Sequence, residues 1–97
     1  MQDNSSLTVV ITGASSGIGL GLAQAYLARG FNVVANARTE ERLAAAAKQL
    51  GNPARLLGVA GDIGRRDTAQ QLVDRAVARF GQVDVLINNA GIFNAKP

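Results

Sequence analysis

The stretch Leu7-Thr8-Val9-Val10-Ile11 runs directly into Thr12-Gly13-Ala14-Ser15-Ser16-Gly17-Ile18-Gly19. A β-branched run that stops at a glycine-rich turn and reopens as a helix constrains the fold more than any other feature of the chain. Glycine lets the backbone turn tightly, lets an anionic group approach without a Cβ in the way, and lets the next helix pack closely on the strand. The helix that opens there aims its free N–H groups and the positive end of its dipole at the anion. The spacing is Gly-x-x-x-Gly-x-Gly and no Gly-Lys-Ser/Thr follows, which argues against a P-loop for a nucleoside triphosphate. By itself such a turn also ends strands in proteins that bind nothing, so the rest of the chain has to decide.

A chain of 97 residues supplies one domain, spanning residues 1–97, and buries roughly two-thirds of its unfolded surface. Hydrophobic residues at 47% against 18% charged suit a folded globular protein. No run approaches the roughly 18 apolar residues of a membrane span, and Met1-Gln2-Asp3-Asn4-Ser5-Ser6 has neither the basic start nor the apolar core of a signal peptide. The expectation is a cytoplasmic protein without a membrane partner. The chain has no cysteine and no histidine, which removes disulfides, thiolate and imidazole metal sites and the commonest general base. The net charge of +3 comes from scattered basic residues, of which only Arg65-Arg66 adjoin, with no interleaved aromatics. Those charges read as solvated faces, and no nucleic-acid partner is expected.

Leu20, Leu22, Ala23, Ala25, Tyr26 and Leu27 read as a mostly apolar helix, buried on most sides, that ends at Arg29-Gly30. Phe31 to Asn36 reads as a second strand. Thr39 caps a second helix whose first turn carries Glu40 and Glu41, whose apolar positions are Leu43, Ala46, Ala47 and Leu50, and which stops at Gly51-Asn52-Pro53. Arg55 to Ala60 is a third strand, ending at Gly61-Asp62-Ile63. Asp67 with Gln70 matches a capping box, and Ala69, Leu72, Val73, Ala76, Val77 and Phe80 then form one apolar stripe up to Gly81. Val83 to Asn88 is the fourth strand, and Asn89-Ala90-Gly91 turns the chain beyond it.

Strands and helices thus alternate throughout, and the strands are continuously apolar, the mark of a parallel sheet covered on both faces. Right-handed crossovers make this an α/β, doubly wound unit. In such sheets ligands sit beyond the carboxyl ends of the strands, where Gly13 to Gly19, Arg38, Asp62 and Asn88 to Gly91 converge.

These residues resemble the short-chain dehydrogenase/reductase family, classical type. Thr12 to Gly19 is similar to its glycine motif, Asn88-Asn89-Ala90-Gly91 to its second signature, and Asp62 falls between them at a matching position. The resemblance spans Leu7 to Gly91 and implies the N-terminal half of a Rossmann-type sheet: about four strands in the order 3-2-1-4, with three helices. It further implies that Gly13, Ser15, Ser16, Gly17, Ile18 and Gly19 line the pyrophosphate and ribose of a dinucleotide. Asp62 and Ile63 would hold the adenine, by a carboxylate that accepts from the exocyclic amine and a main-chain N–H that donates to a ring nitrogen. Asn89, Ala90 and Gly91 would border the ribose. Read without the glycine motif, Asp62 only makes an Asx-turn and the paired asparagines only satisfy loop backbone.

Cofactor choice turns on Asn36-Ala37-Arg38-Thr39. Ala37 stands where NAD enzymes of the family carry an acidic residue for the ribose 2′-hydroxyl, and Arg38 offers a planar cation to a 2′-phosphate. NADP is favoured over NAD. Two features weigh on the other side: an arginine at this place also stacks on adenine in NAD enzymes of the family, and Ser16 stands where many NADP enzymes carry a second base.

Family enzymes transfer hydride between the cofactor and a carbonyl or alcohol, using a Tyr with a Lys four residues on. Tyr26 is the only tyrosine here and Gly30 follows it by four, so no catalytic residue is assigned. The expectation is an oxidoreductase represented by its cofactor-binding part, inactive alone and truncated before the residues that take the small-molecule substrate. The alternative is a stand-alone dinucleotide-binding module; a third reading is a scaffold with a vestigial site. Self-association of the isolated chain through its fourth strand is also expected.

Overall fold

The computed structural model describes residues 7–89. Four strands, β1 (Thr8–Ile11), β2 (Asn32–Ala37), β3 (Leu56–Ala60) and β4 (Val85–Ile87), alternate with three helices, α1 (Gly17–Ala28), α2 (Glu40–Gln49) and α3 (Arg66–Phe80). Every residue of β1 and β2 is buried, which is why neither shows a polar alternation in sequence. All pairs are parallel and the order is β3-β2-β1-β4, as expected. The register sets Val9 beside both Val33 and Val85, and Val33 beside Leu56.

The period of two sends alternate side chains into two cores. Val9, Ile11, Val33, Ala35 and Ala37 pack with Ala23 of α1 and Leu43 of α2. On the other face Val10, Val34 and Val59 pack with Leu72 and Ala76 of α3. The fold is that of a Rossmann-type unit, with the strand ends gathering the loops after β1, β2, β3 and β4 on one side.

Several local expectations shift. β2 begins at Asn32, because Phe31 sits in the turn with its N–H donating to Tyr26 O (3.1 Å) and its ring edge-on to Tyr26 at 4.9 Å. β4 is confined to Val85–Ile87, since Asp84 folds back to Thr8: its N–H donates to Thr8 O (2.8 Å) and its Oδ2 accepts from Thr8 N–H (2.7 Å). α2 begins as expected, with the Thr39 hydroxyl accepting from Arg42 N–H at 3.2 Å.

The capping box does not form. The turn Asp62 to Arg65, closed by Arg65 N–H to Asp62 O (2.9 Å), leads straight into α3 with Arg65 as N-cap, so Asp67 already lies in the first turn. Gln70 donates instead to Asp74 Oδ1 at 2.9 Å. The α3 stripe is also narrower than its apolar residues suggest: Leu72 and Ala76 are buried, whereas Val73 and Val77 are 44% and 47% exposed. α1 is likewise not buried on most sides. Only Gly19 and Ala23 are, with Leu20, Leu22, Tyr26 and Leu27 half-buried, because the sheet covers one flank of the helix.

Candidate functional site

Beyond the strand ends lies a crevice of about 400 Å³ walled by the loops that follow β1, β2 and β3 and by Asn89 after β4. Its construction starts with the glycine loop. Ala14 N–H donates to Asn36 O (2.8 Å), and Thr12 N–H donates to Ile87 O (3.0 Å), so the loop is tied to the strands on both sides of β1. The Thr12 hydroxyl donates to Asn88 Oδ1 at 3.1 Å.

Gly17 opens α1 with φ +58°, and a Cβ there would meet nothing within 4 Å, so its requirement is conformational. Gly19 is the opposite case. A Cβ on it would stand 2.1 Å from Gly13 O, 2.7 Å from Asn89 Nδ2 and 2.9 Å from Ala14 Cα. Its missing side chain is what lets α1 approach the loop and Asn89. Asn89, 2% exposed, donates from Nδ2 to Gly13 O at 3.0 Å, while its Oδ1 has no partner among the described residues. Ser16 is the N-cap of α1 yet makes no side-chain capping bond, in contrast to Thr39 on α2. The first-turn N–H groups of α1 therefore stay open to an acceptor from outside the helix.

Asp62 is exposed on the crevice wall, its Oδ1 accepting from Gly64 N–H at 2.9 Å. The Asx-turn and a role in ligand contact are thus compatible: the turn uses Oδ1, and Asp62 still lines the crevice.

Of the residues expected from sequence, Gly13, Ser15, Ser16, Gly17, Arg38, Asp62, Ile63 and Asn89 line this one crevice. Ile18, 55% exposed, and Gly19, buried in the helix–loop contact, do not. Ala90 and Gly91 lie outside the described residues. Five wall residues, Asn36, Ala37, Arg42, Gly61 and Gly64, fall outside the expected site residues. Asn36 is 2% exposed and its Nδ2 donates toward Val59 O (3.2 Å) and Gly61 O (3.1 Å), stitching the ends of β2 and β3 together. A polar residue inside Val33-Val34-Ala35-Asn36-Ala37 was the available signal for it. For Arg42 the signal was its position four residues after Arg38, across the α2 cap.

Electrostatically the wall combines open N–H groups, two arginines and one carboxylate, a set suited to a ligand with a phosphate and a hydrogen-bonding ring. Among the described residues no helix is long and apolar enough to cross a membrane.

Comparison with known proteins agrees with this geometry. A family model described as short chain dehydrogenase matches residues 7–97. The chain is 43% identical over 88 residues to 3beta-hydroxysteroid dehydrogenase 2 of Eggerthella lenta, covering 90% of this chain and 34% of that protein. It is 43% identical over 96 residues to 11-beta-hydroxysteroid dehydrogenase A of Sesamum indicum, covering 96% of this chain and 27% of that one. The crystal structure of L-sorbose reductase from Gluconobacter frateurii, complexed with NADPH and L-sorbose, superposes with a TM-score of 0.83 at 36% identity, over 97% of this chain and 39% of that one. The chain therefore spans about a third of the length of its relatives. With its parallel 3-2-1-4 sheet, its glycine loop and this match, the chain belongs to the short-chain dehydrogenase family.

Proposed function

We propose that this chain is the cofactor-binding part of an NADP-dependent short-chain oxidoreductase that interconverts a carbonyl and an alcohol. The observation that carries the reading is the convergence, on one crevice, of the uncapped start of α1, Arg38 and Asp62, with no acidic side chain at the end of β2. NADP fits the residues present. Gly13, Ser15, Ser16 and Gly17 would take the pyrophosphate, with Ile18 and Gly19 shaping the first turn behind them. Asp62 and Ile63 would take the adenine, Asn89 with Ala90 and Gly91 the ribose side, and Arg38 the 2′-phosphate. Asn89 Oδ1, without a partner among the described residues, adds a buried acceptor at this wall. When bound, the nicotinamide ring supplies hydride donation or acceptance. This chain's own residues bind and orient. Tyr26, its one tyrosine, is packed edge-on against Phe31 and is absent from the crevice wall, so the 97-residue chain is proposed to bind cofactor without turnover.

That same observation supports a second reading, a dinucleotide-binding module without chemistry of its own. We also propose that the isolated chain self-associates through β4.

Titration of the chain with NADPH and NADH, followed by cofactor fluorescence, tests the assignment. The expected result is NADPH binding at least about tenfold tighter, the scale of one charge-assisted phosphate contact. Equal affinities would remove NADP as the preferred cofactor, and absence of binding to both would remove the site.

A further inference from the structure

We infer that β3 is a pairing edge in its own right, to which a second copy of this chain adds its own β3, antiparallel, across a two-fold axis at Gly58. This edge lies at the far side of the sheet from β4. β3 pairs with β2, and no strand lies on its other side among the described residues. Val33 N–H donates to Arg55 O and Gly61 N–H donates to Ala37 O, so Arg55, Leu57, Val59 and Gly61 turn their backbone groups toward β2. The alternate residues Gly58 and Ala60 therefore direct N–H and C=O outward, and Leu56 its C=O. Leu56 N–H is taken by Pro53 O at 3.1 Å. Exposed edges are ordinarily guarded by charge or proline, and Leu56-Leu57-Gly58-Val59-Ala60 carries neither. A groove of about 210 Å³, lined by Leu43, Ala47 and Leu50 of α2 with Leu56 and Gly58, runs beside it.

The strand's own sequence selects a second copy as the occupant. In an antiparallel pair centred on Gly58, Leu56 stands opposite the second copy's Ala60 on one face, and Leu57 opposite its Val59 on the other. A large side chain thus meets a small one on the α2 face. The axis falls at the residue without a side chain, and a Cβ there would stand 3.2 Å from Leu43 Cδ2. Charge is complementary as well. The same register sets Arg55 opposite the second copy's Gly61 and next to its Asp62, at both ends of the seam. Arg55 and Asp62 are exposed, and neither is in an ion pair among the described residues. An in-register parallel pairing would instead set Arg55 beside Arg55 and Asp62 beside Asp62. A contact in which each copy offers the same patch closes at two copies.

Amide hydrogen exchange of the wild-type chain at two protein concentrations tests the seam, because Gly58 and Ala60 N–H find a strand partner only in the pair. Both are expected to exchange at least about tenfold more slowly at about 1 mM than at about 10 μM. Sedimentation supplies a second arm, on Leu86→Lys so that pairing at β4 is blocked. That variant should level off at the mass of a dimer. Adding Arg55→Glu, which sets a carboxylate beside Asp62 of the other copy, should lower it to the monomer and abolish the slowing at Gly58 and Ala60. Arg55 is exposed, so an unchanged far-UV spectrum is expected, and the wild-type exchange result decides by itself if the variant fails to fold. Equal exchange of Gly58 and Ala60 at the two concentrations overturns the seam, and so does slowing that survives Arg55→Glu in a folded chain. A Leu86→Lys chain that is already monomeric overturns it too, and leaves pairing at β4 standing.

Discussion

Two glycines two residues apart do different work, and a methyl group separates them. Gly17 needs its left-handed φ of +58° but faces open space, so Gly17→Ala should cost about 1–2 kcal/mol, the penalty of a Cβ in that backbone region. Gly19 lies where a Cβ would stand 2.1 Å from a backbone oxygen that cannot step aside, so Gly19→Ala should cost about 3 kcal/mol or more. Urea unfolding of both variants checks the order, and a Gly19→Ala chain as stable as Gly17→Ala would mean that the helix–loop approach is looser than described. From sequence both glycines looked like phosphate-loop residues. The distinction became visible only once α1 was docked on the loop, because a spacing motif records which residues lack a Cβ and not what would collide with one.

At the scale of elements, the crevice exists because strand ends are tied to each other. Asn36 does most of this, its backbone oxygen accepting from Ala14 N–H and its amide reaching Val59 O and Gly61 O. Asn36→Ala should therefore destabilise the fold by about 1–3 kcal/mol, since buried carbonyls lose their donor, and should weaken NADPH several-fold by loosening the loops after β2 and β3. Thermal melts and cofactor titration measure the two effects, and a variant that melts and binds like wild type would deny Asn36 this role. Helix content and order were legible in the sequence because apolar spacing and the Thr39 cap are local signals. The α3 start was not: a capping box from Asp67 to Gln70 competed with the turn closed by Arg65 and Asp62, and the turn won. Nor was the width of the α3 stripe, because Val73 and Val77 have the right spacing but stay exposed, and spacing alone does not say how much of a helix the sheet covers.

Over the whole molecule, the sheet ends at β3 on one side and β4 on the other, and β4 carries Leu86 at 64% exposure. A short, apolar edge with no further strand beside it among the described residues is a template for another strand. Sedimentation of the isolated chain is expected to give a mass that rises with concentration, and Leu86→Lys to shift it toward monomer; a constant monomeric mass would count against pairing at β4. The alternation of strands and helices, their parallel sense and the glycine-rich turn between β1 and α1 were determined by the sequence alone, because each is written in contacts between near neighbours and in backbone freedom. Which residues share the crevice, that Gly19 packs while Gly17 turns, and that Asn36 and Arg42 join the wall were decided only by the tertiary structure. Those facts depend on strand register and helix docking, which bring together residues up to 76 positions apart, as in the Asn89 to Gly13 hydrogen bond.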